Sequence, residues 1–439
     1  MIIPLMADIR GFRGIRYKSS EKDLSRKFAP PYDVIDEKHR ETLLRSDDKN
    51  CVQLILPEGG VGSKYKTANE TLKNWLEDGT LKRDLEVSIY RVHQIYTHEA
   101  CGSAPVTRKG FIAAVKLHDF DEKIVRRHEL TLKGPKIDRL NLWKETDCHL
   151  SQIFSLYRDK ERIIDELFLD IEKSAPDFEG TTDDGTHHKC WCVSDSSLLK
   201  QVSGHLRGKP LYIADGHHRY ETMLALRNLK REAKPSLEDD AHEYGMMFLS
   251  NVDDPGLVVL PTHRLIHGVS GLDQKAFKKE LEEAFDVSVY KRNDSSLEAL
   301  RLKIKEESKH GPSFGCVFPK QNDVLIASLK KGSDLKKCGL GDEEVLYALD
   351  VHVLHTLVLE KILGIDKKAQ EAKTNIYYIR KLGDALNRTD DGEGQVCFIM
   401  NDSPVQQMVD VSDKGLVMPQ KSTFFYPKVA TGTVFYPLS

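Results

Sequence analysis

The stretch "PLYIADGHHRYETMLALRNLKRE" (210–232) constrains the chain more than any other. Leu211, Tyr212, Ile213 and Ala214 form a short apolar run of the kind a buried strand requires, and it stops at Asp215-Gly216. From His217 the period changes, with Tyr220, Met223 and Leu224 on one face of a predicted helix. A buried strand that turns within two residues into an amphipathic helix belongs to a sheet covered by helices. Strand-like and helix-like segments alternate along the rest of the chain as well, so the fold class is predicted to be mixed α/β (α+β).

The neighbouring patterns extend this reading. "SIYRVHQIYTH" (88–98) and "KGFIAAVKLHDF" (109–120) are predicted as paired strands, and "YKTANETLKNWLEDGTL" (65–81) as an amphipathic helix ending near Gly79. "CVQLILP" (51–57) reads as a strand, and "THHK" (186–189) as an exposed loop. "VLYALDVHVLHTLVLEKIL" (345–363) is apolar enough to raise the question of a membrane span. Asp350, His352 and His355 make it a buried helix instead, with both histidines in core packing. At 439 residues the chain exceeds one average core. Three regions are expected: an N-terminal α/β region at 1–115, a core at 116–265 carrying most of the chemistry, and a C-terminal α/β region at 266–439.

Charge narrows the function classes. Sixty-five basic and 68 acidic residues leave a formal net charge of −3, which provides no global field for nucleic acid or an anionic membrane. The start carries no basic region ahead of its short apolar run, so no secretory leader is expected. Eight scattered cysteines do not form a disulfide framework, and reduced thiols of a cytoplasmic protein are the expectation.

Four constellations carry possible chemistry. In the first, Gly216 lets a ligand approach the start of a helix whose N–H groups favour an anion, while His217, His218 and Arg219 supply side-chain donors. Asp215 repels a phosphate unless a divalent metal sits between them, although the same aspartate reads equally as a helix N-cap. The second, "RRHELTLKGPKIDRL" (126–140), packs His128, Lys136 and Arg139 around Glu129, either as a general base among cations or as a solvated charged loop. The third, "LPTHRLI" (260–266), places His263 and Arg264 after an apolar run, or simply at a strand-end turn. The fourth, "MPQKSTFFYPK" (418–428), sets the donors Lys421, Ser422 and Thr423 between apolar pieces, fit for a carboxylate or phosphate or for a hairpin rim. No Walker A sequence, Rossmann glycine fingerprint or protein-kinase motif set is present.

These motifs together with "FAPPYDVID" (28–36) resemble, in order and over nearly the whole chain, the signatures of domain-of-unknown-function family 1015. The strand–"ADGHHR"–helix unit is also similar to the phosphate-binding turn of the ParB/sulfiredoxin-like fold, which includes free-serine kinases. That resemblance implies a ParB/sulfiredoxin-like nucleotide-binding core and transfer of a phosphoryl group from ATP or ADP to the hydroxyl of L-serine, in serine metabolism and cysteine biosynthesis. On it, Glu129, Asp215, His217 and His218 are the catalytic candidates, with Asp215 also holding Mg²⁺. Gly216, Arg219, His128, Lys136 and Arg139 would bind the nucleotide phosphates. His263, Arg264, Lys421, Ser422 and Thr423 would bind the substrate. Gly216 stands where sulfiredoxin has a cysteine, so sulfinic-acid repair is not implied. The other classes are a ParB-like nucleotide-binding regulator, for which the sequence offers no helix-turn-helix reader, and a nucleotide hydrolase with water as acceptor.

Overall fold

The computed structural model describes residues 7–439 except 19, 21, 61, 103, 132, 235, 236, 238, 293–295, 332–339, 341 and 342, and only the backbone of residues 100 and 133–135. The chain divides into two compact units rather than three: one runs to Val258 and takes in Phe425–Ser439, the other is Val259–Phe424. The boundary expected at 115/116 falls at the end of the strand Val106–Lys116, which pairs with Tyr244–Asn251 over seven residues. Cutting there would separate adjacent strands of one sheet, so the first two expected regions are one body. The return of the C-terminal segment to it depends on contacts distant in sequence, which no local pattern announces.

The first unit is built on a nine-stranded mixed sheet. Its order is Val125–Arg126, Leu211–Asp215, Ile153–Tyr157, Tyr244–Asn251, Val106–Lys116, Ile89–Tyr96, His187–Val193 and Phe178–Thr181, with Ile9–Arg10 beside Val106–Lys116. The strands predicted at 88–98 and 109–120 pair antiparallel, Tyr90 opposite Ile112. Ile153–Tyr157 and Tyr244–Asn251 are buried along their whole length, as central strands covered on both faces are. The helix Lys133–Thr146 packs between Ser63–Glu77 and His217–Ala233, with Leu142 and Trp143 buried. The last of these helices buries Tyr220, Met223 and Leu224, the spacing read from the sequence, and Arg227 as well.

The second unit carries a six-stranded sheet in the order Phe285–Lys291, Asp323–Leu329, Ser313–Val317, Val396–Met400, His263–Ile266 and Ile376–Ile379. Leu265, Ile304, Val317, Ile326 and Ile399 pack in its core. In place of one buried helix at 345–363 there are three consecutive pieces, Glu344–Tyr347, which buries no residue, Asp350–Val353 and Leu354–Ile362, the last with the wider π-type hydrogen bonding. His355 is buried there with its Nδ1 2.7 Å from Gln370 Oε1.

Two local readings are corrected. "CVQLILP" is not a strand but a helical turn, Val52–Ile55. Buried Asn50 accepts from the Val52 N–H at 2.9 Å and donates to the carbonyls of Arg26 and Phe28, a side-chain template that overrides β propensity. "THHK" is not an exposed loop, because His187 begins a strand and His188 is buried edge-on against Phe28. Among the described residues no helix is long and apolar enough to cross a membrane, and the described cysteines are free thiols.

Candidate functional site

The strand Leu211–Asp215 lies between Val125–Arg126 and Ile153–Tyr157. A register shift at Ala214 breaks its two-residue alternation just before Asp215, a bulge of the kind that re-aims a side chain at a strand end. Gly216 then turns the chain at φ 98°, and the helix begins at His217. That left-handed backbone favours glycine, and a Cβ at 216 would stand about 3.0 Å from the Arg219 guanidinium. Asp215 is not an N-cap. Gly216 occupies that position and has no side chain with which to cap the helix.

Asp215 is held by two cations. Its Oδ2 accepts from Arg219 Nη2 at 2.6 Å and its Oδ1 from Lys428 Nζ. Burial opposes its ionisation, but Lys428 and Arg219 outweigh that and hold the carboxyl well below its ordinary range. The charge conflict that implied a metal is therefore settled within the protein. With both oxygens engaged by cations, Asp215 does not fit the role of a Mg²⁺ ligand, and among the described residues no other cluster of three or more histidines, cysteines or acids forms a metal cage.

Lys428 was not among the residues singled out from the sequence, although it closes the quoted "FFYPK". It is delivered by a buried clamp. Arg108 donates to the Pro427 carbonyl at 2.6 Å and to Gln94 Oε1, with its guanidinium 4.6 Å from the Phe154 ring centroid. Gln152 Nε2 donates to the Ala430 carbonyl at 2.7 Å. Burial lowers the Arg108 pKa to about 10, so it remains a cation at neutral pH.

The second motif reaches the same helix. It is not a solvated loop: His128 and Arg139 are buried, and Lys133–Thr146 is a helix. His128 and His217 meet edge to face, ring centroids 4.6 Å apart, and the His128 N–H points at His217 Nε2 at 3.4 Å. Burial lowers His128 to about 4 and pushes His217 down as well, so both imidazoles are neutral at pH 7. Glu129, half-buried, follows this contact directly, and His218 is half-buried at the helix start.

Three expected phosphate ligands are engaged elsewhere. Arg219 bends back over Gly216 to Asp215 and the Gln152 carbonyl, so it fastens the turn rather than reaching outward. Lys136 donates to Glu221 at 2.5 Å and to Thr131 at 3.0 Å. Arg139 donates to the Ile55 carbonyl and to Asp138, and lies 4.3 Å from the ring centroid of Tyr32 of "FAPPYDVID". Glu221 and Tyr32 were missed because a helix-face acid and a motif tyrosine have no local signature; only the pairing shows what they hold.

His263, Arg264, Lys421, Ser422 and Thr423 all belong to the second unit. His263 opens a buried strand rather than a strand-end turn and accepts from the Met400 N–H at 3.2 Å. Buried Arg264 donates to the carbonyls of Thr262 and Lys421, the latter at 3.0 Å, and Ser422 Oγ donates to the Pro419 carbonyl. Arg264 and Ser422 thus brace the 419–422 turn, and the Lys421 side chain is exposed.

Four of the five motifs, all but "MPQKSTFFYPK" (418–428), lie within the span of a family model. It is described as a protein of unknown function (DUF1015) and covers residues 9–352. The chain belongs to the DUF1015 family. No curated protein matches it. Similar solved structures include a conserved hypothetical protein from Pyrococcus furiosus, at 13% identity and TM-score 0.33, covering 70% of this chain and 89% of that one. A mutant free serine kinase in complex with ADP is similar at 10% identity and TM-score 0.34, with 69% and 84% covered. C-terminally truncated SbnI from Staphylococcus aureus stands at 10% and 0.34, with 74% and 87% covered. Likeness at this level carries no argument about the chemistry of this DUF1015 member, which has to come from its own residues.

Proposed function

We propose that this chain is a small-molecule kinase with a ParB/sulfiredoxin-like nucleotide-binding core, transferring a phosphoryl group from ATP or ADP to the hydroxyl of free L-serine and giving O-phospho-L-serine. One observation carries the reading: a helix that starts at a left-handed glycine, Gly216, with the neighbouring carboxylate neutralised by Lys428 and Arg219 and with Glu129 next in the chain to the His128–His217 contact. Such a turn offers several N–H donors and the positive end of a helix to phosphate oxygens, without the repulsion a bare Asp215 would exert.

In the proposed reaction Glu129 accepts the serine hydroxyl proton as that oxygen bonds to the terminal phosphorus. The bond from phosphorus to the bridging oxygen breaks, and its electron pair leaves with the shortened nucleotide. The N–H groups of His217, His218 and Arg219, with the His218 side chain, stabilise the phosphoryl oxygens. Arg219 and Lys428 act through Asp215 by fixing the turn.

Purified protein incubated with magnesium nucleotide, ATP or ADP, and a panel of amino acids should yield O-phosphoserine, read by mass spectrometry, only when serine is present. Nucleotide consumption independent of serine would make the protein a hydrolase. Binding without consumption would make it a regulator, and either outcome overturns the kinase reading.

A further inference from the structure

A separate cavity of about 920 Å³ lies in the first unit, between the start of the sheet and the helix Ser196–Leu206. None of its lining residues belongs to the Asp215 turn or to the motif around Glu129. It is an open groove, and its volume lies within the range of small-molecule sites. Five of the residues lining it are basic and one, Glu86, is acidic, in a chain where acids slightly outnumber bases. The imbalance is therefore local.

Four of those cations are exposed and, among the described residues, make no ion pair: Arg13, Arg83, Lys200 and Arg207. They come from three places, the segment after Ile9–Arg10, the strand Leu81–Arg83 and the helix Ser196–Leu206 with its C-cap Arg207, so the cluster is made by the fold and not by a basic run. The fifth, Arg10, is held at the rear with its guanidinium 3.6 Å from the Tyr244 ring centroid. The wall is close-packed: a Cβ on Gly11 would stand 2.8 Å from Leu199 and 3.0 Å from Val87. Like charges gathered on a rigid concave surface repel one another unless an anion joins them. Three guanidinium forks suit the oxygens of phosphate better than single carboxylates, and four cations suit more than one phosphate.

We propose that this groove binds a small polyphosphorylated anion, either a free oligophosphate or the phosphate chain of a nucleotide, at a site independent of the helix turn at Gly216. The proposal does not rest on the kinase reading.

Isothermal titration of the full chain with inorganic tripolyphosphate tests it. The expected result is binding that weakens with salt and whose groove component weakens by at least about tenfold in the double variant R83E/R207E. The second pair R13E/K200E should behave alike and keeps the test informative should the first variant misfold by circular dichroism. The control K275E/K279E makes the same charge change on the helix Gln274–Ala284 and should bind as the unaltered chain does. Titration with ATP separates the sources. ATP bound in the groove more tightly than tripolyphosphate, with the gain lost in Val87→Asp, assigns a nucleotide, and tripolyphosphate bound as tightly as ATP or more so assigns a free oligophosphate. No tripolyphosphate binding, equal binding by the groove variants, or an equal loss in the control would each overturn the proposal.

Discussion

Replacing Lys428 by Met removes one of the two cations that hold Asp215 and leaves Arg219 at 2.6 Å. A fully buried pair broken on one side costs about 3–5 kcal/mol. Here the two side chains keep 16% and 18% of their surface exposed and one cation remains, so about 2 kcal/mol is expected. On a unit of this size that amounts to a fall in melting temperature of about 4–8 °C, measurable by circular dichroism or calorimetry. Combining K428M with D215N should show coupling of about 1 kcal/mol or more, because the second substitution removes the charge the first one strands. The pH dependence has a defined sign. Asp215 is held below its ordinary value, so the stability it gains from Lys428 is complete above the unfolded carboxylate value of about 4 and is lost as pH falls through the folded value. The gap between the two proteins should stay constant from pH 7 to about pH 5 and close below about pH 4. A K428M protein as stable as the unaltered one at pH 7, or two effects that simply add, would refute the charge-compensation argument.

Gly216→Ala should cost about 1–2 kcal/mol in urea unfolding and weaken nucleotide binding, because the φ of 98° disfavours any Cβ and this one would press on the Arg219 guanidinium. Unchanged stability would contradict the geometry of the turn. Glu129→Gln should lower serine-dependent turnover on the order of 10²–10⁴-fold with nucleotide affinity within about twofold, and full turnover would remove Glu129 as the base. Burial holds His128 down to about 4 and lowers His217 too, so the unfolded chain takes up protons first as pH falls below about 6.5. Stability should be complete above that value and decline toward pH 4, and His128→Gln should flatten part of the decline in the urea midpoint.

The strand, turn and helix at 211–233 were legible because their signals are local: a run of apolar residues, a glycine, and a change of period from 2 to 3.6. The paired strands at 88–98 and 109–120 and the buried character of 351–359 were legible for the same reason. The failures are of one kind too. Val52–Ile55 carries β-prone residues, yet a buried asparagine sets its backbone, and His188 looks like a loop histidine until Phe28 is found against it.

By itself, then, the sequence determined that an acid, a glycine and basic residues follow one another at the Gly216 turn and that a strand must precede and a helix must follow it. It did not determine what each charge does there. Arg219 reads as a ligand-gripping cation, and tertiary structure turns it back onto Asp215 and Gln152. Asp215 reads as a metal ligand, and Lys428, 213 residues further along the chain, takes its other oxygen. Helix and strand signals come from neighbours a few residues apart, whereas a charge acts through whatever lies within a few ångströms, however remote in sequence. That is why the turn was visible in the amino-acid order and its electrostatics were decided only by the fold.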